Sequence, residues 1–150
     1  MGDFELSLVS ACLAGVRCRY DGTSCPDKDI ISMIEEDSAI AVCPEMLGGL
    51  GTPRPRAEIS GGDGLAVLKG TASVITINGQ NVTGAFLEGA ARLVTAAKEA
   101  NCTVAILKSK SPACGVGTIF DGTFSGTVQS GDGVAAAALK LAGIEIISLD

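Results

Sequence analysis

Apolar positions come in short, dense runs separated by polar or glycine-rich stretches, and the two kinds of spacing predict different elements. Leu6–Leu13 is a short apolar run that ends at Gly15, as expected of a buried strand entering a loop. Asp29–Asp37 carries Ile30, Ile31, Met33 and Ile34 at helical spacing, and Ala39–Cys43 reads as a second buried strand. From Val82 a longer helix places Phe86, Leu87, Ala90, Leu93, Val94 and Ala97 along one face, and Asn101–Lys108 returns as a third core strand. Val134–Leu141 is an alanine-rich helix, and Ile144–Leu149 closes the chain as a strand. Continuous apolar strands alternating with helices predict an α/β fold: a mostly parallel sheet in a Rossmann-like layout, with helices on both faces.

Two stretches break the alternation. Between Pro44 and Gly64 runs a long Gly/Pro loop, after which Leu65–Leu68 and Val74–Ile77 read as a short β-hairpin insertion closed by "NGQN". Residues 115–133 form a second glycine-rich loop. Loops of this length usually carry function. The 150 residues are the size of one domain, 1–150, able to bury roughly 68–70% of its unfolded surface without disulfides.

Charge narrows the partners. A formal net charge of −6 disfavours intact nucleic acid as a ligand, and no apolar run reaches the roughly 18 residues of a membrane span. The N-terminus "MGDFELSLVS" has early acids and no basic segment, so no secretory leader is expected. A cytoplasmic location follows, with six cysteines reduced or metal-bound.

The cysteines carry the chemistry. Cys12, Cys43 and Cys114 each fall at or just past the C-terminal end of a predicted core strand, the edge at which open α/β sheets bind ligands. Cys102 lies between helix and strand and reads as a small buried hydrophobe. No C-x2-C knuckle is present, and with no histidine in the chain a Rieske centre or Cys/His zinc site is excluded. Spacing alone leaves three readings open: a metal or cluster on widely separated ligands, a lone catalytic thiol, or structural cysteines. Arg17, Arg19, Arg54, Arg56, Lys108 and Lys110 lie in or beside the same loops and would suit an anionic cluster or substrate. Glu45, two residues beyond Cys43, is the first candidate for proton transfer.

The segments "VSACLAGVRCRYDG", "CPEMLGGLGTPRPRAEI", "VTGAF", "AILKSKSPACG" and "IFDGTFSGT" closely resemble, in order, the signature segments of the thiouracil desulfurase family. The resemblance spans nearly the whole chain. It implies a 4Fe-4S enzyme that converts 2-thiouracil-like bases to the oxo base and sulfide without redox change. Its cluster ligands would be Cys12, Cys43 and Cys114, leaving the fourth iron open to substrate sulfur or hydrosulfide. The resemblance also assigns proton transfer and substrate positioning to Glu45 and to Ser111, with Ser109 the alternative serine. Cys18 and Cys25 fall outside the implied ligand set and would flank the pocket. The family's pattern has serine at Ala113 and proline at Gly51, departures that would reshape the pocket without removing a ligand. Two competing classes remain: a persulfide sulfurtransferase with an exposed, low-pKa Cys114 as nucleophile, and a non-catalytic iron–sulfur carrier or sensor.

Overall fold

The computed structural model describes residues 6–150; the acidic start used to argue against a leader lies largely outside them. Four parallel strands form the central sheet: β1 (Ser7–Ser10), β2 (Ala39–Val42), β5 (Val104–Lys108) and β8 (Glu145–Leu149), in the order β2-β1-β5-β8. Between them run α1 (Lys28–Glu35), α2 (Pro44–Leu47), β3 (Ala57–Ser60), α3 (Gly64–Leu68), β4 (Ser73–Thr76), α4 (Thr83–Glu99), β6 (Thr118–Phe120), β7 (Val128–Ser130) and α5 (Val134–Leu141).

The inner strands β1 and β5 are mainly apolar because both faces of the sheet are covered there, whereas the edge strand β8 is largely exposed. Leu8, Ala105 and Leu107 join the core beneath α4 and α5, whereas their neighbours Val9 and Ile106 pack with Ile30 of α1. The expected layout is therefore observed, with helices on both faces.

The hairpin differs from the sequence reading. Leu65–Leu68 is not a strand but helix α3, whose N-terminus is capped by the Asp63 carboxylate accepting from the Ala66 N–H. The antiparallel pair is β3 with β4, in register Ala57↔Thr76 to Ser60↔Ser73. The apolar tetrad "LAVL" fits either state, and the cap at Asp63 decides it. A second small pair, β6 with β7, forms inside the glycine-rich stretch that reads as loop.

The strand order matters most for function. The chain leaves β1 to one side to make β2, then crosses back to make β5 on the other side, so β1 and β5 flank the switch point of the sheet. There the connections diverge and leave a crevice at the strands' C-terminal ends. The β1–β5 ladder runs from Ser7↔Val104 to Val9↔Ile106. Beyond it the Lys108 N–H donates to Ser10 Oγ at 3.0 Å, a side chain continuing the tie where the backbone pairing ends.

Candidate active site

Each cysteine singled out at a strand end is held by a different local device. Cys12 lies in the 3-10 turn Ala11–Ala14 that follows β1 directly. Its carbonyl accepts N–H bonds from Gly15 and Cys25, which pins the turn from both sides. Cys43 is the N-cap residue of α2, with Pro44 at the first helical position, where its missing N–H costs nothing. Two glycines seat that helix: a Cβ on Gly48 would run into the Ala85 carbonyl, and one on Gly89 into the Pro44 carbonyl. The backbones of α2 and α4 thus approach more closely than any side chain permits, and this sets where Cys43 and Glu45 stand.

Cys114 is presented by the turn after β5. Ser111 Oγ accepts the N–H groups of Ala113 and Cys114, each at 3.0 Å. The same turn caps α5, which has no side-chain cap of its own: the Val134, Ala135 and Ala136 N–H groups donate to the carbonyls of Pro112 and Ala113. Gly133 cannot carry a Cβ against Ala113. The turn is therefore braced by helix, serine and close packing together.

These devices bring Cys12, Cys18, Cys43, Glu45, Ser111 and Cys114 onto one cavity of about 540 Å³ at the sheet edge. Ser10 and Ser109 also line it, as do Arg19, Arg54, Arg56, Lys108 and Lys110, so five of the six basic residues expected here reach it and Arg17 does not. Cys25 and Cys102 are not on the cavity wall; Cys25 packs with the α1 side of the core and Cys102 is buried in the other.

Cys18 is closer to the centre than the sequence indicates. It is only 3% exposed, it lines the cavity, and its carbonyl faces Cys43 Sγ at 3.9 Å. The Cys12 and Cys43 thiols lie below their ordinary value, first through the neighbouring Cys18 thiol, aided at Cys12 by Arg19 and Lys108 and at Cys43 by Arg54. Cys18 itself is pushed upward, chiefly by its neighbours Cys12 and Cys43. Cys114 is also raised, chiefly by burial, and is 4% exposed. A sulfurtransferase nucleophile needs an exposed thiol of low pKa, so Cys114 does not meet the requirement the sequence left open to it.

Glu45 is pushed upward by burial, against the pull of Arg54 at 3.2 Å. Its Oε1 lies 3.9 Å from Cys43 Sγ. Ser111 commits its oxygen as acceptor to two backbone N–H groups and keeps its own O–H to donate. Ser109 Oγ meets Lys108 Nζ at 3.2 Å. Ser10, which only strand pairing connects to Lys108, was missed from sequence, and Arg54 was named there only as one of six loop cations, without its pairing to Glu45.

Among the described residues no His, Cys, Asp or Glu side chains gather tightly enough to grip a single metal ion. The thiols instead stand around a shared space with basic side chains on its wall, an arrangement that fits a polynuclear iron–sulfur group bound one iron per thiolate.

A family model described as 2-thiouracil desulfurase matches residues 8–150. The Bacillus subtilis (strain 168) uncharacterized protein YbbK is 50% identical over 141 residues, covering 94% of this chain and 93% of its own. The solved structure of a 4Fe-4S-dependent thiouracil desulfidase, TudS, superposes with a TM-score of 0.84 at 38% identity, over 96% of this chain and 90% of that one. With a match reaching from the first core strand to the last residue, the chain belongs to the 2-thiouracil desulfurase family.

Proposed function

We propose that the protein is a 4Fe-4S-dependent thiouracil desulfidase, acting as one domain on small thiolated pyrimidines and releasing the oxo base and sulfide. The observation that carries this reading is the convergence of Cys12, Cys43 and Cys114 with Glu45 on one cavity at the switch point, in a chain similar to a desulfidase of that description.

Cys12, Cys43 and Cys114 are the cluster ligands in this reading. Cys18 is not: the family resemblance leaves it outside the ligand set, and it lines the cavity beside them. It stands instead as a neighbour that favours the thiolate forms of Cys12 and Cys43. When bound, the cluster supplies a soft Lewis acid at the iron without a protein thiolate, which polarises the thiocarbonyl. Glu45 takes a proton from the water that attacks the carbon, and a positioned base of this kind typically contributes about 10²–10⁴-fold in rate. Burial raises its basicity toward the working range. Ser111 donates its O–H toward the substrate while its oxygen holds the Cys114 turn.

Conversion of C=S to C=O leaves carbon at the same oxidation state, so neither a carrier nor an electron-transfer role is needed to explain the site. All six cysteines are free, which suits a reducing compartment, and we assign the protein to the cytoplasm. Among the described residues no helix is long and apolar enough to cross a membrane.

The test is to purify the protein without oxygen, count iron and acid-labile sulfide, and supply 2-thiouracil. Uracil and sulfide in equal amounts are expected from the brown, iron-loaded protein. An iron-free protein that still desulfurates would overturn the reading.

A further inference from the structure

Glu58 is a glutamate that the chemistry above does not use. It lies in β3 one residue before Ile59, which is fully buried in the core, and it is itself only 4% exposed. Its Oε1 accepts two backbone N–H bonds, from Gly122 at 2.9 Å and Phe124 at 3.1 Å, so one oxygen ties the hairpin to the loop after β6. Oε2 has no hydrogen-bond partner among the described residues, and no lysine or arginine pairs with the carboxylate there.

That second oxygen is not sealed in protein. Among the described residues no fully buried side-chain oxygen or nitrogen lacks a partner, and Glu58 lines the same cavity as the cysteines. Its remaining acceptor sites therefore open into the cavity, where they call for a donor. Val82, Phe86 and Phe120 give the cavity apolar wall, suited to the faces of a flat ring.

A carboxylate oxygen beside apolar walls recognises an N–H in a ring plane. Arginine or lysine on the wall can bind the carbonyl or thiocarbonyl of a pyrimidine, but a ring N–H requires an acceptor. Resting on the desulfidase reading, we propose that Glu58 is the specificity residue that accepts a ring N–H of the thiopyrimidine, selecting bases that keep that N–H over analogues in which it is alkylated. A site built around such a bond discriminates strongly, because the analogue leaves a buried acceptor without its donor.

The geometry supplies a clean variant. In Glu58→Gln the amide oxygen can keep both backbone N–H bonds, since two donors meeting one atom fix the flip, while the amide NH2 replaces the acceptor on the cavity side. With iron-loaded protein and 2-thiouracil, Glu58→Gln is expected to keep its iron content and melting temperature, to raise KM on the order of 10- to 100-fold and to change kcat little, as loss of a charge-assisted bond would. The unaltered enzyme should lose a similar factor on 1-methyl- or 3-methyl-2-thiouracil, whichever blocks the recognised nitrogen, and that penalty should shrink in the variant.

An unchanged KM in a folded, loaded Glu58→Gln would overturn the assignment, as would full affinity of the unaltered enzyme for both methylated bases. The second measurement needs no variant to fold. Absence of iron or of any turnover in the unaltered protein would instead overturn the desulfidase reading. Affinity for uracil, measured by calorimetry on the purified protein and on Glu58→Gln, then tests Glu58 by itself: a 10-fold loss supports it and equal affinity refutes it.

Discussion

Arg54 Nη2 stands 3.2 Å from Glu45 Oε2 and 3.0 Å from the Cys18 carbonyl, while Nη1 reaches the Gly51 carbonyl at 3.2 Å. Its backbone N–H donates to the Tyr20 carbonyl at 2.7 Å. One guanidinium thus ties the loop carrying Cys18 to the helix carrying Glu45, with both charged side chains largely withdrawn from solvent. A pair this buried is not chiefly a stabiliser, because desolvation offsets its attraction. Its consequence is orientation: Glu45 cannot rotate away from the cavity without leaving Arg54 uncompensated.

Glu45→Gln is expected to retain iron and KM while turnover falls on the order of 10²-fold or more, as for removal of a general base. Arg54→Ala should lower kcat about 10-fold or more at constant iron, with Arg54→Lys recovering only part of it, since an ammonium cannot reproduce a planar fork. Steady-state kinetics on loaded proteins decide both. Near-normal turnover of Glu45→Gln would move the base elsewhere.

Cys12→Ala, Cys43→Ala and Cys114→Ala should each prevent stable cluster assembly. Cys25→Ala and Cys102→Ala, off the cavity wall, should leave it intact. Cys18→Ala should still load iron, but with a shifted reduction potential, because it removes a neighbour that favours the thiolate form of two ligand sulfurs. Iron and sulfide counts on six reconstituted variants test the set, and a four-iron cluster surviving loss of Cys114 would refute the ligand assignment.

Ser111 separates into two roles that one pair of variants resolves. Ser111→Ala removes the acceptor for two N–H groups and should cost about 1 kcal/mol of stability, as loss of a cap does, together with some turnover and affinity. Ser111→Asp restores an acceptor for the turn without a donor for the substrate. Recovery of melting temperature without recovery of rate is expected; recovery of both would leave Ser111 a turn residue alone.

Gly89→Ala sets helix propensity against packing. In the interior of α4 alanine is favoured over glycine by about 1 kcal/mol, yet its Cβ would meet the Pro44 carbonyl, a backbone atom that cannot step aside. Overpacking of this kind costs about 1–3 kcal/mol. The melting temperature should fall, and turnover with it, because α2 carries Glu45. A rise in melting temperature would show that α2 is not seated as described.

The last prediction concerns the reaction class. Loaded enzyme should turn over 2-thiouracil repeatedly without reductant, and in oxygen-18 water the product should carry label at the carbon that lost sulfur. A donor consumed in proportion to product would replace hydrolysis with a reductive route.

Hydrophobic spacing was enough to place the four parallel strands and the helices α1, α4 and α5, because short apolar runs and helical faces are written directly into the chain, most densely where β1 and β5 are buried on both faces. Strand ends then pointed to Cys12, Cys43 and Cys114, since a parallel sheet offers its ligand edge at each strand's C-terminus. The hairpin was misread because "LAVL" has no intrinsic preference strong enough to outweigh one capping carboxylate at Asp63. Cys43 Sγ facing the Cys18 carbonyl, Ser10 reaching Lys108, Arg54 on Glu45 and Glu58 holding the 121–124 loop are contacts across as many as 98 residues of chain. No local pattern encodes such pairs: they exist only once the crossover at β1 and β5 has opened the crevice and the glycine contacts have drawn α2 onto α4.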